Sequence, residues 1–188
     1  MWQLIGTAIG FGLGMAAYKQ AVVSRERAEF SHGDQFHNGR ARVYEGDISG
    51  NTVVKRAEQM ARVAYSPAHP NPDFEGPDGG LGTTYVRWLF SEEPETAEGL
   101  LRSGITLIHD TTLPAGAAVG VHGHVTEEIL YILEGTAQLK ILRGDREVEV
   151  VLRRGDAQLT RTGEAHSIHN PGPGDLRLMV IGAVPRRA

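Results

Sequence analysis

The sequence predicts an all-β protein, one antiparallel sandwich or barrel preceded by an N-terminal extension containing one or two helices. Three observations predict it. From Gly104 onward, short β-prone runs follow one another at regular spacing. Glycine-rich turns separate these runs. No tandem repeat is visible, so there is one barrel and not two. The organisation read from the chain is an apolar glycine-rich helix over 1–20, an extension of loops with one helix and one strand over 21–103, and the barrel over 104–188.

The first segment, Trp2 to Tyr18, is uncharged and 17 residues long, at the short limit for a membrane span. Gly6, Gly10 and Gly14 recur every four residues and share one helical face. Its modest hydrophobicity favours a packed or oligomer-forming helix, with membrane association through residues 2–18 as the alternative. No basic region precedes it, which argues against a cleaved signal peptide. A cytoplasmic location follows from that reading, and a membrane-anchored one from the alternative.

Residues 19–50 are polar and broken by glycines, and they read as loop and short extended pieces. Asn51 to Tyr65 reads as a helix, because Val53, Ala57, Met60, Ala61 and Ala64 fall on one face. Residues 66–82 are dense in proline and glycine and read as a long flexible loop. Thr83 to Phe90 reads as a strand, suited to add to a barrel edge of its own or a partner's chain, and Ser91 to Gly99 as an acidic turn or short helix.

Composition narrows the chemistry. Hydrophobic residues make up 40% of the 188, enough for a packed core. The net charge of −4 argues against a nucleic-acid binder. Only Lys19, Lys55 and Lys140 are lysines among the 19 cations, a skew that suggests a GC-rich bacterial genome. There is no cysteine, which removes thiolate nucleophiles, disulfides and iron–sulfur clusters.

Four of the eight histidines lie between 122 and 169. His122 and His124 flank Gly123 at the start of a strand, so alternation puts both imidazoles on one face. Glu128 has the same parity and joins them on that face if the strand continues. Neutral imidazoles and a carboxylate suit a divalent first-row metal. A further ligand must come from another strand, and His166 is the candidate.

These residues also carry a family likeness. Gly116-x5-His122-x-His124-x3-Glu128-x6-Gly135 resembles the first motif of the cupin family at every defined position. Gly155-x5-Arg161-x-Gly163-x2-His166-x3-Asn170 resembles the second, with Arg161 where that motif usually has proline. The resemblance covers about residues 104–184. It implies a small antiparallel jelly-roll barrel with a metal at its mouth, on His122, His124, Glu128 and His166. The ion expected is Fe(II), with Mn, Ni, Co or Zn as alternatives.

The remaining candidates read differently. His169 has the opposite parity to His166 and faces away from the ligands. His109 reads as a core residue or a support to the site, with substrate contact, or the general base of an isomerase or lyase, as the alternative. His32, His37 and His69 lie in polar loops and read as solvated. Glu127 and Tyr131 have the opposite parity to Glu128 and point outside the barrel. Arg161 reads as a solvated cation, with anchorage of a substrate carboxylate as the sharper alternative. Arg87 shares a face with Tyr85 and Leu89 and could point at substrate if its strand lines the barrel.

Four protein ligands leave open positions on a five- or six-coordinate ion. The function expected is that of a metal-dependent enzyme, an oxygenase or dioxygenase on a small organic substrate in amino-acid or natural-product metabolism. The alternatives are an isomerase or lyase using the ion as Lewis acid, and a ligand-binding cupin without turnover. A homodimer is the expected assembly.

Overall fold

The computed structural model describes residues 31–32, 48–49, 52–57, 60–93 and 97–185. Its strands are β1 (Ser31–His32), β2 (Ile48–Ser49), β3 (Thr52–Val53), β4 (Ala61–Tyr65), β5 (Thr84–Ser91), β6 (Ile105–Leu113) and β7 (Ala118–Gly123). They continue with β8 (Glu127–Glu134), β9 (Thr136–Arg143), β10 (Arg146–Arg153), β11 (Ala157–Thr160), β12 (Ala165–His169) and β13 (Leu176–Ala183). β2 and β3 form a small hairpin. The other strands build a seven-stranded sheet, ordered β1-β4-β5-β6-β13-β8-β11, and a four-stranded sheet, ordered β10-β9-β12-β7.

The all-β expectation holds across this region, because alternation sends one set of side chains between the sheets. On β8, Glu128, Leu130 and Ile132 are buried while Ile129 and Tyr131 are exposed. Leu113, Leu130, Ile132, Leu139, Leu176 and Leu178 are fully buried and form the heart of the core. Burial of each such side chain contributes roughly 1.5–3 kcal/mol. Asn170 closes the barrel end. Its Nδ2 donates to the carbonyls of Leu113 and Gly174, both at 2.8 Å, and its Oδ1 accepts from the Gly172 N–H at 3.0 Å.

The extension departs from expectation. The helix read over 51–65 is not formed: residues 52–53 and 61–65 are strands. β4 pairs antiparallel with β5, Val63 opposite Val86. That pairing buries Val63 and Ala64. The helical face read from small residues was real as a pattern but weaker than a sheet edge offering both hydrogen bonds and apolar contact. β5 in turn pairs with β6 of the same chain, so sheet structure extends upstream of residue 104. The Trp2–Tyr18 helix lies outside the described residues. Among the described residues, no helix is long and apolar enough to cross a membrane.

The 66–82 loop is pinned rather than loose. Leu81 exchanges two backbone hydrogen bonds with Ala118, at 2.8 and 3.0 Å, and Gly120 N–H donates to Ala68 O at 3.1 Å. A short 3-10 turn, Gly76–Gly79, packs beside β7 and β12. There Asp78 accepts from Ser167 Oγ at 2.6 Å and pairs with Lys140 at 2.7 Å. The loop therefore covers the β7 edge of the small sheet. The acidic turn after β5 is closed by Glu92, whose carboxylate accepts from the N–H groups of Gly99, Leu100 and Leu101.

Candidate metal centre

Two strands of the small sheet bring the first ligands together. His122 on β7 and His166 on β12 are directly opposite one another in the register. The pairing slips between His166 and Ile168, where three steps on β7 match two on β12. This bulge changes the parity of β7, so Val119 packs in the core while His122, three residues on, also turns inward. His124 follows just past the end of β7. Glu128 does not continue that strand. The chain crosses over, and Glu128 enters on β8 of the facing sheet, opposite Thr160 and Gly182.

The four side chains converge. One ligand atom from each of His122, His124, Glu128 and His166 lies within 4.8 Å of all the others. Glu128 Oε1 is 3.2 Å from His166 Nε2, and Glu128 Oε2 is 3.4 Å from His124 Nε2. The other nitrogens of two rings are already engaged. His122 Nδ1–H donates to Gly120 O at 2.8 Å, because a carbonyl can only accept. His166 Nδ1 lies 2.7 Å from Thr160 Oγ1, whose own proton goes to Gln158 Oε1. Both rings therefore turn Nε2 lone pairs toward the carboxylate.

Burial and mutual charge set the protonation. Burial pushes His122 down to about 3, helped by the charges of His69, His166 and His124. His124 is also lowered, again chiefly by burial. Burial would raise Glu128, but the contact with His166, and the attraction of the surrounding imidazoles when they are protonated in acid, hold it at about 2. Neutral His122 and His124 beside an ionised Glu128 suit a divalent cation, which binds deprotonated ligands. Among the described residues, His124 Nε2 and His166 Nε2 are buried with no hydrogen-bond partner. Unpaired lone pairs facing an anion are costly unless a cation lies between them. The donor set thus fits a divalent first-row metal.

The other candidates fall around this centre or away from it. His109 is on the inner face of β6, its ring edge-on to Trp88 at 4.9 Å between centroids and its Nδ1 2.7 Å from Thr111 Oγ1. It is not one of the gathered ligands. Burial pushes it down to about 4. Arg87 is opposite Asp110 and Arg62, on the face of β5 away from Trp88, so it does not point at the centre. The face is decided by strand pairing, which residue spacing alone does not give. Arg161 is exposed in the turn before β12, where its backbone N–H donates to Glu164 at 2.9 Å. His169 shares the outer face of β12 with Ser167, and Tyr131 is on the outer face of β8.

His69 lies in a loop and is exposed, as its sequence setting suggests, but it is not isolated: its ring stacks on His122 with centroids 3.9 Å apart and planes 3° from parallel. Thr160 and Gln158, which orient His166, also escape a sequence reading. The one sequence signal near His69 is its setting between Pro67, Pro70 and Pro72, which marks a stiff loop.

Residues 109–182 match the Cupin domain family. The oxalate-binding protein of Thermotoga maritima is 34% identical over 104 residues, 55% of this chain and 78% of that protein. The chain belongs to the cupin family. A crystal structure of a predicted oxalate decarboxylase from Thermotoga maritima is similar to this cupin at a TM-score of 0.54 and 27% identity, covering 71% of this chain and 100% of that one. Both cupin motifs contribute to the centre: His122, His124 and Glu128 come from the first and His166 from the second.

Proposed function

We propose that this cupin is a metal-dependent oxygenase acting on a small organic acid. The observation that carries the reading is the gathering of three imidazoles and one carboxylate, with His124 Nε2 and His166 Nε2 buried and unpartnered among the described residues. A bound ion would supply Lewis-acid activation of a substrate oxygen and, if redox-active, a site for dioxygen. The chain's own part is to hold His122 and His166 in fixed tautomers, keep Glu128 ionised, and leave open positions beside four ligands. Acid as the substrate class is supported by the Thermotoga relatives, one named for binding oxalate and one as a predicted oxalate decarboxylase.

The isomerase or lyase reading needs a general base near the ion. His109 is the nearby candidate, and a group pushed down to about 4 is a weak base at neutral pH. This favours the oxygenase. A second reading, an acid-binding cupin without turnover, is favoured by the oxalate-binding relative. The test loads the protein with Fe(II), Mn(II) or Co(II) and follows an oxygen electrode across oxalate, other small acids, amino acids and thiols. Oxygen uptake with one acid supports the oxygenase. Acid binding without uptake for every metal supports the second reading.

The expected homodimer is proposed to use the outer face of the large sheet. Ile129, Tyr131 and Leu159 are each about two-fifths exposed there, with Ile129 opposite Leu159 in the register. A two-fold axis sets such a strip against itself, so a second copy covers it without a separately evolved partner surface. Light scattering at micromolar concentration checks it. The wild type should run as a dimer and Tyr131→Glu as a monomer, and a monomeric wild type removes the proposal.

A further inference from the structure

His69 stands against the metal centre without belonging to the ligand group. The residue is exposed to solvent, while its ring lies face to face with a ligand ring.

The backbone around it is held in an unusual shape. His69 has a φ of 45°, a region that residues with a side chain seldom adopt. Pro70 follows it and narrows its conformations further. The loop is fixed to β7 on either side of His69: Gly120 N–H donates to Ala68 O at 3.1 Å, and Asn71 Nδ2 donates to Val121 O at 2.8 Å. Gly120 makes the approach feasible, since a Cβ there would lie 2.1 Å from His69 O. Strained backbone that its surroundings over-determine is concentrated at binding and catalytic sites.

Support of His122 does not account for this arrangement. His122 is already aimed by its own hydrogen bond to Gly120 O. What His69 adds at the centre is a polar ring edge, with one N–H donor in the neutral imidazole. We infer that His69 binds the substrate acid: its ring N–H donates to a carboxylate oxygen of a small acid held at the four-ligand centre, and it is not itself a ligand. The inference rests on the reading of this protein as a metal-dependent cupin for small acids.

The test uses the full chain loaded with Co(II), whose visible spectrum reports both the ion and any acid bound beside it. Wild type, His69→Phe, His69→Ala and His69→Gln are titrated first with Co(II), then with oxalate and with formate. Phenylalanine keeps a ring for the stack but has no N–H. His69→Phe is expected to bind Co(II) as the wild type does and to bind oxalate about tenfold more weakly, the scale of one lost hydrogen bond. His69→Gln, which restores a donor, should recover part of the loss seen in His69→Ala. Unchanged oxalate binding in His69→Phe overturns the inference and leaves the proposed function standing. Weaker Co(II) binding in both His69→Phe and His69→Ala also overturns it, because His69 then acts on the metal and not on the acid. If neither acid perturbs the Co(II) spectrum of the wild type, the acid-binding reading and this inference fall together.

Discussion

The hydroxyl of Thr160 lies 2.7 Å from Nδ1 of His166, and both side chains are fully buried. Thr160 passes its proton to Gln158 Oε1 at 3.2 Å, so it accepts from His166 and fixes which imidazole nitrogen faces the site. Partners of this kind orient a ligand and raise its basicity, and their loss typically lowers metal affinity about 10- to 100-fold. Thr160→Val keeps the shape and removes the acceptor. It should lower affinity by that range, while Thr160→Ser stays near the wild type. A competitive metal titration of both variants decides between them, and equal affinity in valine and serine would remove Thr160 from the site's design.

Removal of a ligand should be more severe. Glu128→Ala takes away the only carboxylate of the gathered group, and His124→Ala one of its three imidazoles. Either variant should lose most bound metal in elemental analysis. Metal that binds only the folded state stabilises it by about 2.7 kcal/mol at a hundredfold excess over the dissociation constant. The wild type should therefore melt higher with added metal, and the two variants should not respond. A variant that keeps its metal-dependent melting shift would mean the ion sits elsewhere.

Much of this was legible in the sequence, and the reasons differ by region. The strands after Gly104 carry their own signals, alternation within each run and glycine at the turns, such as Gly135 with φ of 85°. The ligands were legible because fixed spacings between His122, His124, Glu128 and His166 mark a recurring motif. The geometry behind one of them was not: Glu128 was expected on the strand of His124, but it arrives on the opposite sheet. Parity gave the right residue for a wrong reason, because the bulge in β7 and the crossover to β8 are both invisible to counting. Ala61–Tyr65 was misread because its helical spacing is local and its pairing with β5 is not. His69 was missed for a similar reason. Its position depends on contact with Gly120, about fifty residues away, and no periodicity records such contacts.

Acid should destabilise the metal-free protein over a defined window. His122 and His109 have folded values of about 3 and about 4 against an ordinary 6.5, and Glu128 about 2 against 4.5. Between each folded value and its ordinary one, the unfolded chain binds more protons than the folded chain, so stability rises with pH there. Falling pH therefore costs stability from about 6.5 downward through the two histidines and below about 4.5 through Glu128 as well. Above pH 7 these groups add no slope. Urea midpoints of the metal-free protein should be level from pH 7 to 8 and drop steadily from pH 6.5 to 4. A flat profile across that drop would mean the histidines protonate in place without unfolding the site.

Gly120 connects the loop to the centre, so its replacement tests both at once. A Cβ at this position would lie 2.1 Å from His69 O and 3.2 Å from Asp78 O, and both are backbone atoms that cannot swing aside. The loop must retreat from β7, which weakens the Gly120–Ala68 hydrogen bond and lifts His69 from His122. Overpacking of this kind typically costs about 1–3 kcal/mol. Gly174 is the control, because a Cβ there meets no heavy atom within 4 Å and its φ is not positive. Gly120→Ala should lower the melting temperature and weaken oxalate binding in the metal-loaded protein. Gly174→Ala should do neither. If Gly120→Ala melts lower yet binds oxalate as the wild type does, the loop matters for stability alone and His69 has no part in holding the acid.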